Sequence, residues 1–272
     1  MESAANIDWD KASEDFQRDG AVRLPKLLDS DGMAAALAAY EWSLAHPGPL
    51  AVTPAVLATP GSKFYSDLSN FAALDAYRDM LRSSPLPDAV AQLWGGSNDV
   101  WLLYEQVFLR EGAKTQRTPW HQDASYIPIA GHHTAVAWIT FDPATKADCL
   151  EFVRGSHKGP IYNQPAVEGA SGNVDADKHQ LGDIEADRGK WDIISWNITP
   201  GDVIIFHVNT LHGGSATAGQ RRRTLSLRFF GDDAVYAASA AGFPAPMLPG
   251  FHERMRSGMP FRDPAFTHLL PR

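Results

Sequence analysis

Trp120-His121-Gln122-Asp123 is the stretch whose reading decides the fold and the chemistry, and it is read together with one later segment, Asn209-Thr210-Leu211-His212-Gly213-Gly214. Residues two apart on an extended strand point to the same face, so His121 and Asp123 can offer an imidazole and a carboxylate to one point in space. A second imidazole from a distant strand, His212, completes two nitrogens and one oxygen on one side of a metal. That donor set, with the opposite positions open, suits non-heme Fe(II) that must also bind a co-substrate and O2. A His-x-Asp triplet is common by chance in a chain with 10 histidines, so its context has to carry the weight.

Outward from this stretch, residues 100–109, 134–141, 150–153, 202–207 and 224–230 are aromatic and β-branched runs separated by turn residues, the pattern of consecutive strands. Upstream the texture is different. Residues 8–18 place Trp9, Ala12 and Phe16 on one side of a short amphipathic helix that Asp19-Gly20 stops, and residues 21–25 read as a brief strand. A helix is expected from Asp29-Ser30-Asp31 to Leu44, and others over 74–81 and 86–93. Residues 47–62, rich in proline, are expected to be loop. Helices first and strands later point to an α+β, mainly β chain whose core is an antiparallel sandwich or barrel. The expected organisation is one domain over 1–272: a mainly helical flank to residue 98, a core over 99–233 with a lid-like insertion at 155–200, and a C-terminal extension over 234–272.

Composition excludes several functions. The net charge is −8 and the only basic block is Arg221-Arg222-Arg223, which argues against a nucleic-acid partner. No run reaches the roughly 18 apolar residues of a membrane helix, and no secretory pattern opens the chain. A soluble cytoplasmic protein with a small-molecule substrate is expected, with the oligomeric state open. The single cysteine, Cys149, excludes an internal disulfide and a cysteine-based zinc site. Gly155-Ser156-His157 lacks the elbow of a serine hydrolase.

Four motifs now stand in order: Trp120-His121-Gln122-Asp123 with Tyr126; Glu151-Phe152-Val153-Arg154-Gly155-Ser156-His157-Lys158; Pro200-Gly201-Asp202-Val203-Ile204-Ile205-Phe206-His207 leading to His212; and Arg222-Arg223-Thr224-Leu225-Ser226-Leu227-Arg228. Together they resemble the phytanoyl-CoA dioxygenase family of Fe(II)- and 2-oxoglutarate-dependent oxygenases. The resemblance implies a double-stranded β-helix, the cupin-like jelly roll, flanked by N-terminal helices. It assigns His121, Asp123 and His212 as iron ligands, with 2-oxoglutarate and O2 as co-substrates that yield succinate and CO2 as a C–H bond is hydroxylated. Because Asp123 keeps its carboxylate, no coordination position is freed for halide, and hydroxylation is preferred to halogenation.

The family also places an arginine against the distal carboxylate of 2-oxoglutarate, a task for a planar bidentate cation. Counting forward from His212 gives Arg223; aligning backward from Thr224-Leu225-Ser226-Leu227-Arg228 gives Arg222. Parity favours Arg222, which shares a strand face with Thr224 and Ser226, whereas Arg223 shares one with Leu225, Leu227 and Phe229. Trp138, Gln106 and Thr118 are further candidates for contact with the oxo acid, and Tyr126 for the substrate pocket. His207 is the rival third ligand, read as a core residue, and His132, His133 and His157 are read as polar loop residues. The competing readings are a cupin-like metal protein without an oxo acid and a non-catalytic sensor of the same fold. The low basicity argues against a CoA thioester as substrate.

Overall fold

The computed structural model describes residues 7–52, 61–112, 116–163, 179–214, 219–238 and 245–271. In chain order the elements are α1 (Trp9–Asp19), β1 (Ala21–Leu24), α2 (Ser30–Ala45), β2 (Ser62–Leu68), α3 (Leu74–Arg82), α4 (Leu86–Leu93), β3 (Val100–Gly112), β4 (Thr118–His121), β5 (Ile129–Ala130), β6 (Thr134–Thr140), β7 (Leu150–Val153), β8 (Ile193–Ile194), β9 (Val203–Phe206), β10 (His212–Gly214), β11 (Arg222–Phe230), β12 (Val235–Tyr236), α5 (Phe251–Arg254) and β13 (Thr267–Leu270). One antiparallel sheet runs β1-β9-β6-β11-β3-β13 with β2 also on β3, and a second runs β4-β10-β7-β8. The two sheets form a jelly-roll core flanked by N-terminal helices.

Alternation along the strands of the large sheet decides what lies where. Ala135, Ala137 and Ile139 of β6, Val203 and Ile205 of β9, and Leu225, Leu227 and Phe229 of β11 pack against the helices, in one cluster with Phe16, Tyr40, Tyr77 and Leu81. The intervening residues Val136, Trp138, Ile204 and Phe206 face the second sheet and pack with Phe152. The sheet is therefore buried on both faces. The helices that cover it begin as their caps dictate: Asp8 accepts from the Lys11 amide at 3.0 Å and Asp29 from the Gly32 amide at 2.8 Å. Gly20, at φ 81°, ends α1 where a Cβ would come within 2.4 Å of His157 Nδ1 and 2.6 Å of Thr210 Oγ1, so only glycine fits.

The structure adds three details to these expectations. The mainly helical first 98 residues also give two strands to the large sheet, the expected β1 on β9 and, in addition, β2 on β3. The 155–200 segment is tied into the second sheet: β8 pairs with β7, and Arg188 Nη2 reaches Glu151 Oε1 at 2.6 Å. Its residues 164–178, including the Gly169-Ala170-Ser171-Gly172-Asn173 stretch, lie outside the described residues, as do 53–60 of the proline-rich loop. The C-terminal segment is buried: Phe261 and Phe266 meet Phe230 edge-on and stack on each other, and Phe251 meets Phe261 edge-on. No helix among the described residues is long and apolar enough to cross a membrane.

On the helix-covered face the Glu105 carboxyl is enclosed. Glu105 is 2% exposed, its Oε1 accepts from the Asn70 amide at 2.8 Å, and burial pushes its pKa up to about 8. The folded chain thus holds a proton that the unfolded chain releases near the ordinary glutamate value. Stability from this group is fully present below about pH 4.5 and is lost as pH rises towards about 8, at up to about 1.4 kcal/mol per pH unit. Glu105→Gln keeps the acceptor for Asn70 without the titration. Its urea-unfolding free energy, compared with that of the unmodified chain, should improve steadily between about pH 5 and pH 8; a difference independent of pH would refute the buried proton.

Candidate metal centre

His121 is the last residue of β4 and His212 the first of β10, and the two are direct partners across the antiparallel pair. Opposed residues project to the same face with Cα atoms about 4.5–5.5 Å apart, so pairing alone brings the two imidazoles together, with ring centroids 4.2 Å apart. Each ring is oriented by the carbonyl two residues before it: His121 Nδ1 lies 2.8 Å from Pro119 O and His212 Nδ1 lies 2.9 Å from Thr210 O. A carbonyl only accepts, so both Nδ1 atoms carry hydrogen and both Nε2 atoms present lone pairs. Burial lowers both histidine pKa values, that of His212 to about 3.

Asp123 arrives by a different route from the one expected. The ladder stops at His121, Gln122 remains extended at φ −121°, ψ 133°, and Asp123 opens a 3-10 turn to Ser125. His121 and Asp123 still share a face because the single residue between them is extended. His212 likewise begins a three-residue strand rather than ending the apolar strand β9. Asp123 Oδ1 lies 3.7 Å from His121 Nε2 and 3.8 Å from His212 Nε2, and the three donor atoms lie within 4.8 Å of one another. A first-row metal bonds nitrogen and oxygen donors at about 2.0–2.2 Å, so two donors that it joins are at most about 4.4 Å apart. Both measured separations from Asp123 fit.

The other oxygen of Asp123 is engaged by a residue that the sequence motifs carried without a role. Arg228 donates to Asp123 Oδ2 through Nε at 2.9 Å and Nη2 at 2.9 Å, and its guanidinium lies over the Tyr104 ring at 4.8 Å. Burial works against the carboxylate, but the Arg228 guanidinium outweighs it and holds the Asp123 pKa low. Gln122 is turned away from the cluster: it donates to Asn209 O at 2.7 Å and accepts from the Tyr162 amide at 2.9 Å. In this way it ties β4 to the turn that delivers His212.

The cluster opens into a cavity of about 130 Å³ between the two sheets, lined among others by Thr118, Tyr126, Trp138, Gln106, Arg110 and Arg222. Thus Thr118, Trp138, Gln106, Tyr126 and Arg222 share one cavity with the three donors. Gln106 Nε2 also donates to Ser66 Oγ at 3.3 Å. Arg222 is 7% exposed, donates to Asp148 O, and is held down to about 9 by burial and by the neighbouring Arg110. Arg223, considered above as an oxo-acid ligand, points the other way: its Nη2 donates to Asp142 Oδ1 at 2.9 Å and its guanidinium lies over Phe141. His207 stays apart from the cluster, its Nδ1 accepting from the Asn209 amide and its Nε2 beside Thr134 Oγ1 at 3.1 Å. His133 pairs with Asp232 and His157 Nε2 donates to Gln17 O. Arg110 and Arg228 escaped sequence reasoning, although both follow the alternation that marks Gln106 and Arg222 as inward-facing.

Residues 16–224 match the family described as phytanoyl-CoA dioxygenase (PhyH). The probable phytanoyl-CoA dioxygenase of Caenorhabditis elegans is 26% identical over 182 residues, 64% of this chain and 56% of that protein. The peroxisomal phytanoyl-CoA dioxygenase of Homo sapiens is 29% identical over 130 residues, 46% and 37% of the two chains. The chain spans about half the length, or less, of these relatives. Among solved structures, the α-ketoglutarate-dependent epimerase SnoN of nogalamycin biosynthesis superposes with a TM-score of 0.72 at 21% identity, over 96% of this chain and 98% of that one. The carbocyclase SnoK of the same biosynthesis gives 0.70 at 19%, over 98% of each chain. EvdO2 from Micromonospora carbonacea var. aurantiaca, complexed with 2-oxoglutarate, gives 0.60 at 21%, over 89% and 99%.

Removing the partner of a buried carboxylate leaves an uncompensated charge and costs about 3–5 kcal/mol, whereas a solvated pair contributes about 0–1 kcal/mol. Arg228→Met should therefore destabilise the metal-free protein in urea by several-fold more than Arg223→Met, whose pair with Asp142 is about one-fifth exposed. Equal losses would show that the Arg228 pair is not the desolvated one.

Proposed function

This chain belongs to the phytanoyl-CoA dioxygenase family, and from that premise we propose that it is a non-heme Fe(II)- and 2-oxoglutarate-dependent oxygenase. It hydroxylates an unactivated C–H bond of a small-molecule metabolite, with release of succinate and CO2. The observation that carries this reading is the convergence of His121 Nε2, His212 Nε2 and Asp123 Oδ1 in a cavity whose far end holds the buried Arg222.

His121, Asp123 and His212 would hold the iron on one side and leave its remaining positions to ligands from the cavity. Iron with a 2-oxo acid and O2 supplies an oxidative decarboxylation and an oxidant able to take hydrogen from a C–H bond. The protein's own part is positional. Pro119 O and Thr210 O keep the Nε2 lone pairs aimed inward. Arg228 occupies Asp123 Oδ2 and so commits Oδ1 to the metal side. Arg222 offers a planar cation to the distal carboxylate of 2-oxoglutarate, with Trp138, Gln106 and Thr118 along the walls and Tyr126, whose ring meets that of His121 at 5.9 Å, towards the substrate.

Cavity size supports a compact ligand set. An engineered cavity of about 150 Å³ takes a benzene molecule, so about 130 Å³ suits a five-carbon diacid at the metal; the adenosine end of a CoA ester would have to lie outside. The epimerase and carbocyclase among the structural neighbours mark epimerisation and ring closure as the outcomes to separate from hydroxylation in product analysis.

The test is a metabolite panel with Fe(II) supplied anaerobically before O2 is admitted, following succinate. His121→Ala and Asp123→Ala should abolish succinate formation, and retained turnover would overturn the ligand assignment. A charge-assisted hydrogen bond contributes about 1.5–3 kcal/mol, or about tenfold to a hundredfold in affinity. Arg222→Met should raise the 2-oxoglutarate KM by that factor while Arg223→Met leaves it nearly unchanged; the reverse order would move the co-substrate to the other face of β11.

A further inference from the structure

His121 and His212 face the cavity, so by alternation the residues just before them, Trp120 and Leu211, face the other side of the small sheet. There they form a separate buried cluster with Val153 of β7 and Ile184, against which Leu181 and Trp191 pack. Ile184 is 2% and Leu211 1% exposed. The cover on this side is thus residues 181–193, the part of the insertion that ends in β8. Polar contacts reinforce it. Trp120 Nε1 donates to Glu185 Oε1 at 2.6 Å, and the Trp120 indole lies against Gly213, where a Cβ would come within 3.2 Å of its Cδ2. Gly213 follows His212, so one side chain of β4 spans both donor strands. Around it, Arg117 joins Glu151 at 2.7 Å and Glu185 at 3.3 Å, and Arg188 joins the same two carboxylates at 2.6 and 3.1 Å. Glu151 is the register partner of Gly213 on β7, so this ring of four charges reaches from the insertion to all three strands behind the donors.

We propose that residues 181–193 are a back brace for the metal centre: Ile184 and Glu185 are positioning residues that act through Leu211 and Trp120 to hold His212 and His121 at the separation a metal needs. This rests on the reading of the three donors as a metal site and gives the insertion a task other than that of a substrate lid. The physical ground is stiffness. A three-residue strand with two glycines has little of its own, and donors hold a metal only where the groups behind them fix their geometry. On the cavity side, space beside the donors has to stay open for ligands, so support has to come from behind. Half-exposed ion pairs contribute little one by one; over a closed apolar cluster they keep Ile184 seated on the residues next to the two imidazoles.

The test measures Mn(II) affinity, from the EPR signal of the free ion, and the visible spectrum of the Co(II) form, both on the full chain. Ile184→Ala is expected to weaken Mn(II) binding at least about tenfold and to shift the Co(II) bands. Leu81→Ala, a core truncation of the same kind on the helix-covered face, should lower stability in urea while changing Mn(II) affinity less than about twofold. Glu185→Ala should lose about threefold or more, and Glu185→Gln, which keeps an acceptor for the Trp120 indole, should recover most of it; this pair carries the test where Ile184→Ala does not fold. If neither Ile184→Ala nor Glu185→Ala changes the Mn(II) affinity or the Co(II) spectrum, residues 181–193 are cover alone and the brace is wrong. If Leu81→Ala loses as much affinity as Ile184→Ala, the loss is one of general stability and the brace is equally wrong. If the unmodified chain binds neither ion, the metal reading itself fails and the brace with it.

Discussion

The pairing of β10 with β4 is the constraint on which the site depends. It sets His212 opposite His121, and a slip of one residue would turn an imidazole to the other face of the sheet. A strand of three residues, two of them glycine, cannot hold its own register. Its neighbours hold it: the Leu211 amide donates to Ser156 Oγ at 2.8 Å, Thr210 Oγ1 donates to Gly20 O at 2.8 Å, and Gln122 bonds the Asn209 carbonyl. Gly20 belongs to the end of α1, so the first helix reaches the metal centre through one turn. The helical layer thus both covers the outer face of the large sheet and fixes the turn that presents the last donor.

The two faces of β11 show how one strand serves both tasks. Leu225, Leu227 and Phe229 carry the packing against the helices. Arg222, Thr224, Ser226 and Arg228 line the cavity in that order, ending beside Asp123, which Arg228 holds. Opposite them on β3 stand Arg110, Phe108, Gln106 and Tyr104, so the polarity of the cavity is written twice, on adjacent strands in fixed register. A rigid wall of this kind positions groups better than loops do.

The convergence of His121 with Asp123 and the parity of Arg222 were legible because both depend on near neighbours in sequence: one extended residue between His121 and Asp123, one strand face shared by residues 222, 224 and 226. The strands at 134–140, 150–153 and 203–206 were legible from composition, being apolar and β-branched. Three features were not. β2, Ser62–Leu68, carries Lys63 and Asp67 and lacks an apolar run; it is a strand because β3 is long enough to pair with it. β10 has no intrinsic strand preference at Gly213 and Gly214 and exists through tertiary pairing. Arg110 and Arg228 read as ordinary arginines until register shows that each meets a specific partner, Arg222 or Asp123.

Overall charge and local charge then part company, and the local one governs the chemistry. A chain of net charge −8 turns three arginines into one cavity against a single carboxylate, Asp123, and two imidazoles that burial keeps neutral. Arg228 is matched by Asp123, while Arg110 donates to Gln116 O and Thr118 Oγ1 and Arg222 to Asp148 O. A divalent ion at the donors adds to the positive field. The field inside the cavity is therefore positive and favours an anionic guest. The same reasoning revises the argument against a CoA thioester. Low overall basicity is a weak ground, since a few well-placed arginines suffice to hold phosphates; the size of the cavity beside the three donors, about 130 Å³, is the firmer one.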